Sequence, residues 1–164
     1  MCPTLTHEVK KIKNQLGLEV NELLSTLIIG IIETKECKAE LLVIGDGLIC
    51  WDGQLFEFGQ NDKPDYLGYH LSHNFSSWYE SQKQHLTIDQ FKDLSICTDG
   101  IFTFKNFENP SNQKTEGEIV KYLLRDTEGY ELDQFLDNKI LYLKNQSRHF
   151  VTDDLAIIRI ITTA

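Results

Sequence analysis

Four acids stand where apolar runs begin or end. "ELLVIGDG" closes on Asp46, "DLSICTDG" closes on Asp99, and "VTDDLAIIRI" opens with Asp153 and Asp154. If these runs are antiparallel strands, the end of one lies beside the start of its neighbour, and the carboxylates converge at one sheet edge. Clustered carboxylates repel one another and stay ionised together only when a cation neutralises them. An all-oxygen donor set without organised His or Cys suits hard divalent ions, Mg²⁺ or Mn²⁺. The competing reading is local. Asp-Gly is among the commonest turn dipeptides, so each acid taken singly reads as a bend. "WDG" at 51–53 carries the same dipeptide and is expected to be a plain hairpin turn.

The elements that must position these acids can be read from periodicity. "TLTHEVKKIKNQLG" places Leu5, Val9, Ile12 and Leu16 at helical spacing, with Gly17 as its stop. "LSTLIIGIIET", "AELLVIG", "GLICW" and "QLFEF" follow as short apolar strands separated by turn signals, and predict an antiparallel meander. Their near-continuous apolar character predicts cover on both faces for at least some of them. Residues 60–92 are polar and irregular, with scattered aromatics, and read as a long packed excursion. "DLSICT" is the next strand. "TEGEIVKYLLRD" opens with a capping box, Thr115 to Glu118. "YELDQFLDNKILYLKNQ" carries Leu132, Phe135, Leu136, Ile140 and Leu143 on one helical face, and "DDLAIIRIIT" closes the chain as a strand. Strands do not alternate singly with helices, which argues against a doubly wound parallel sheet, and an α+β fold of antiparallel sheet with packed helices is expected.

Composition sets further bounds. The 164 residues fit one domain, residues 1–164, with 41% hydrophobic content and a net charge of −9. That acidity argues against nucleic acid and anionic membrane as partners. The start has no apolar core typical of a signal peptide, and the longest apolar run, "LIIGII", is too short to span a bilayer. The cysteines, Cys2, Cys37, Cys50 and Cys97, show no CxxC spacing, so a reducing, cytoplasmic setting is expected. His70 and His73 in "YHLSH" have i,i+3 spacing but no helical periodicity around them, and read as loop histidines. Ser25 and Ser95 lack an organised base, so a serine nucleophile is not supported. Trp51 and Trp78 read as packing residues.

The ordered series "STLIIGII", "LLVIGDG", "LSICTDGI" and "TDDLAIIRI" resembles the C-terminal part of a type-2C protein phosphatase, the metal-dependent Ser/Thr phosphatase family, over roughly residues 20–162. The resemblance implies stacked antiparallel sheets flanked by helices, an α-β-β-α sandwich. It implies two or more Mg²⁺ or Mn²⁺ ions and hydrolysis of phosphoserine or phosphothreonine proteins by metal-activated water, with no covalent catalytic residue. Asp99 matches a ligand of the metal nearest the core, Asp153 its partner ligand, and Asp46 the acid associated with a more weakly held third ion. Asp154 matches a structural position. Gly100 lets the backbone turn beside the site.

The same resemblance predicts an upstream Asp-Gly motif bridging both metals, and an Arg for the phosphate. The 24 residues before Ser25 contain neither Asp nor Arg. The chain is therefore expected to be a partial domain, incomplete at its N-terminus. It would pair with a second copy or a partner to complete its sheets. The alternative is a catalytically inactive scaffold or regulatory module of the same fold.

Overall fold

The computed structural model describes residues 3–59 and 65–162. The chain divides into two compact units, Met1–Gly47 with Glu57–Gln90, and Leu48–Phe56 with Phe91–Ala164. Each is an antiparallel sheet with helices, so the α+β expectation holds.

The first unit begins with α1, Pro3–Leu16, ended by Gly17 at φ +66°. A positive φ is free of steric cost only for glycine, which is why the helix stops there. Leu5 and Val9 are half-buried, but Ile12 and Leu16 are exposed, so the expected apolar stripe is covered over its first half alone. The sheet orders β1 (Leu27–Glu33), β2 (Lys38–Ile44) and β5 (His85–Ile88). Leu27 faces Ile44, and Ala39 faces Ile88. Leu41 to Ile44 are all buried, as the unbroken apolar run predicts for a strand covered on both sides. Leu42 and Ile44 pack with Leu67, Leu71 and Trp78.

The stretch read as an irregular excursion is more ordered than expected. Residues 60–64 lie outside the described residues, as does Cys2. Beyond them come a 3₁₀ turn at Leu67–His70, helix α2 at Phe75–Ser81, and β5. Asn74 caps α2 by accepting from the Ser77 N–H at 3.2 Å. These elements are too short for periodicity to reveal.

The second unit orders β4 (Gln54–Phe58), β3 (Gly47–Trp51), β6 (Asp93–Cys97) and β7 (Ile157–Ile161). The expected four-strand meander is thus divided between two sheets. β2 and β3 do not pair, because the chain bends through Gly45 (φ +89°), Asp46 and Gly47 (φ +150°) instead of forming a hairpin. A Cβ on Gly45 would lie 2.6 Å from Thr26 Cγ2. Helix α3, Glu116–Leu124, carries the expected capping box: Thr115 N–H donates to Glu118 Oε2 at 2.7 Å, and Glu118 N–H to Thr115 Oγ1 at 3.2 Å. Helix α4 spans Phe135–Asn145, later than the pattern suggested, which leaves Leu132 exposed ahead of it. Ile119, Val120, Leu123, Leu124 and Leu143 pack on Leu48, Cys50 and Cys97 of the sheet.

Candidate metal centre

The end of β6 is bonded to the approach to β7. Thr98 N–H donates to the Ala156 carbonyl at 3.1 Å. The Thr98 hydroxyl donates to the Asp154 carbonyl at 3.0 Å and accepts from the Ala156 N–H at 3.0 Å. Gly100 completes the contact: a Cβ there would stand 2.3 Å from the Asp154 carbonyl oxygen, so only glycine permits this approach. Asp99 is therefore carried on backbone that lies directly against Asp154, one residue from Asp153. The two backbones adjoin because β6 and β7 pair antiparallel, Cys97 opposite Ile157.

A second pair of threonines extends the seam. Thr152 donates its hydroxyl to the Thr103 carbonyl at 2.9 Å and its N–H to Thr103 Oγ1 at 3.2 Å. Thr103 in turn donates to the Gly100 carbonyl at 2.8 Å, inside the 3₁₀ turn Asp99–Phe102. Asp99, Asp153 and Asp154 are all exposed. Asp153 Oδ1 accepts from the Asp154 N–H at 2.8 Å, which fixes the carboxylate's orientation. Beneath them the Cys97 thiol is buried, and burial together with the Asp99 charge pushes its pKa up to about 12.

Asp46 lies half-buried on the connection from β2 to β3, in the other unit. Among the described residues no group of three or more His, Cys, Asp or Glu is placed to hold a metal. The donor chemistry at Asp99 and Asp153 still suits Mg²⁺ or Mn²⁺. Such ions keep several waters and take only one or two carboxylates from the protein.

The hairpin control behaves as expected and adds a contact. Asp52 (φ +46°) and Gly53 (φ +80°) form the tight turn. Asp52 Oδ1 also accepts from Lys92 and Asp93 N–H at 2.8 and 2.9 Å, tying the turn to the start of β6. Sequence reasoning missed Thr98, Thr103 and Thr152, whose roles depend on contacts across some fifty residues. It also missed Arg159, whose Nε and Nη2 donate to the two oxygens of Asp93 at 3.0 and 2.6 Å. Its Nη1 donates to the Leu123 and Asp126 carbonyls, both at 2.9 Å. A lone Arg inside "AIIRIIT" was the available signal, since a charge amid buried neighbours needs a partner.

The sequence profile of protein phosphatase 2C matches residues 3–138. Asp46 and Asp99 fall inside that stretch and Asp153 beyond it. No curated protein matches the chain. Two solved structures are similar to it, both of the phosphatase domain of the cell fate determinant SpoIIE from Bacillus subtilis. One is 15% identical over 95% of this chain and 72% of that one, with a TM-score of 0.40. The other, presoaked with Mn, is 17% identical over 98% and 67%, also at 0.40. At that level of similarity neither carries an argument about this chain.

Proposed function

The chain belongs to the protein phosphatase 2C family, and from that premise we propose that it is a metal-dependent phosphatase of phosphoserine and phosphothreonine proteins. The observation that supports this reading most is the Thr98–Asp154 seam, which sets two acids of the family pattern on adjoining backbone. In this proposal Asp99 and Asp153 hold a Mg²⁺ or Mn²⁺ ion, and Asp46 serves a further, weaker ion. Bound divalent ions supply a hydroxide-like water and offset charge on the phosphoryl oxygens. The chain's own groups prepare the place. Thr98 fixes the two loops against each other. Gly100 admits the Asp154 carbonyl. The Asp154 N–H engages one oxygen of Asp153 and orients the carboxylate that would hold the ion. Exposed carboxylates lose little hydration when they pass to a hydrated cation, which suits weak, exchangeable ions.

A scaffold or regulatory role is the second reading. The observation favouring it is that no three metal-ligating side chains gather among the described residues. Mn²⁺ titration with p-nitrophenyl phosphate and a phosphothreonine peptide separates the two. Mn²⁺-dependent turnover lost in Asp99→Asn supports the phosphatase. Mn²⁺ binding without turnover supports a partial phosphatase domain that lacks its other half, and neither binding nor turnover supports the scaffold.

The proposal extends to assembly and setting. β1 and β5 are outer strands of the first sheet, and β4 and β7 of the second. An outer strand offers unpaired N–H and C=O groups, which suits completion by a second copy or a partner. Free Cys50 and Cys97, both buried, suit a reducing cytoplasm. No helix among the described residues is long and apolar enough to cross a membrane.

A further inference from the structure

We propose that His70 and His73 form a zinc-binding pair, separate from the strand-end acids and built on the 3₁₀ turn that precedes α2. The two Nδ1 atoms lie 3.2 Å apart. Two imidazole nitrogens bound to one tetrahedral zinc, each at about 2.0–2.1 Å, stand roughly 3.3 Å from each other. The pair thus already has the spacing of two vertices of the coordination tetrahedron. The local backbone imposes it: the His73 N–H donates to the His70 carbonyl at 3.0 Å, which closes the turn and brings i and i+3 together.

The outer contacts match those of a metal-binding histidine. His70 Nε2 faces Asp65 Oδ1 at 2.5 Å. A carboxylate on the far nitrogen selects the tautomer whose Nδ1 lone pair is free for a metal, and orients the ring. The His70 ring also stacks on Trp78, with centroids 5.2 Å apart and planes at 29°. It is therefore held in place, with its side chain only 14% exposed. His73 is exposed and can receive an ion from solvent.

With His70 Nδ1 as the acceptor, the contact between the rings is closed by an Nδ1–H of His73. Zinc takes both lone pairs once the His73 proton moves to its own Nε2. That is a tautomer change, so no net proton is released. The recess beside the pair, about 330 Å³, is lined by Asn74, Ser77, Ser81 and Gln82, with no Lys or Arg to repel a cation. Among the described residues no third His, Cys, Asp or Glu completes a metal-holding group, so water would fill the remaining coordination positions. The indole N–H of Trp78, buried and without an acceptor among the described residues, is a donor in the same side-chain cluster.

The test is titration of the full chain with Zn²⁺ at neutral pH, following histidine ring protons by NMR. His70 and His73 signals should shift together and saturate at one ion per chain. Mg²⁺ should leave them in place, which separates this site from the strand-end acids. His73→Ala, or His73→Gln should the first variant fold poorly, should weaken Zn²⁺ binding read at His70 by at least about tenfold. Asp65→Asn should weaken it within the roughly 10–100-fold range of outer-shell changes. Ring signals that do not move with Zn²⁺, or an affinity unchanged in the His73 variants, would overturn the proposal.

Discussion

The hydroxyl of Thr98 lies 3.0 Å from the carbonyl oxygen of Asp154, a residue 56 positions further along the chain. The same hydroxyl accepts from Ala156, so one side chain satisfies a donor and an acceptor on the opposite loop. Thr98→Val keeps the shape and removes both bonds, leaving two backbone groups short of partners. We expect a loss of about 0.5–1.5 kcal/mol in urea denaturation, since water can reach the groups left behind. Affinity for Mn²⁺ should fall as well, because the loops bearing Asp99 and Asp153 lose their lock. Unchanged stability in Thr98→Val would show that the seam is not held by this hydroxyl.

Gly100→Ala tests the other side of that seam. Its Cβ would meet the Asp154 carbonyl oxygen at 2.3 Å, and both atoms belong to backbone or are fixed to it. No rotamer relieves the clash, so one loop must move. The expected cost is about 1–3 kcal/mol or more. A crystal structure of a stable Gly100→Ala variant should show the 153–155 segment displaced. Wild-type stability with an unmoved segment would contradict the close approach.

Much of this seam could be anticipated from the chain, but not its fastening. The capping box at Thr115–Glu118 is a local pattern of fixed offset, and it forms as read. β6 and β7 announce themselves through apolar runs, and the acids at their ends follow from antiparallel pairing. The bend at Gly45–Asp46–Gly47 was harder. "GDG" between two apolar runs reads as a hairpin, whereas two positive φ angles lead the chain from one sheet into another. Helix α2 and β5 were hidden because four to seven residues show no period. Which threonine bonds to which carbonyl is set by register between distant segments, and composition carries no trace of it.

Arg159 and Asp93 form a second anchor. The Arg159 side chain is 1% exposed, and its guanidinium serves both Asp93 oxygens and two carbonyls near the end of α3. Breaking a buried pair on one side strands the other charge. Asp93→Ala should therefore cost roughly 3–5 kcal/mol. Arg159→Lys should recover little, since an ammonium cannot match the planar fork. Thermal melts of the three proteins measure this. A Lys variant as stable as the parent would show that charge alone matters.

Cys97 makes a prediction about alkaline pH. Burial holds its thiol protonated up to about 12, against an ordinary value near 9 in the unfolded chain. Between those values the unfolded state gives up the proton and the folded state keeps it, so stability falls as pH rises. The slope from one such group approaches about 1.4 kcal/mol per pH unit. Cys97→Ala should flatten the decline of stability between pH 9 and 12. The native thiol should also resist alkylation at mildly alkaline pH. Rapid labelling of Cys97 in the folded protein would contradict its burial.

The proposed role of the strand-end acids is tested most directly by Mn²⁺ affinity, measured calorimetrically in the parent chain, Asp99→Asn, Asp153→Asn and the double variant. Ligands of one ion should fail as a unit. Each single change should weaken binding by at least about tenfold, and the double change should cost much less than the sum of the two, because residues that share one ion do not act additively. If Mn²⁺ binds the double variant as tightly as the parent, Asp99 and Asp153 hold no shared ion and the phosphatase reading of this site fails.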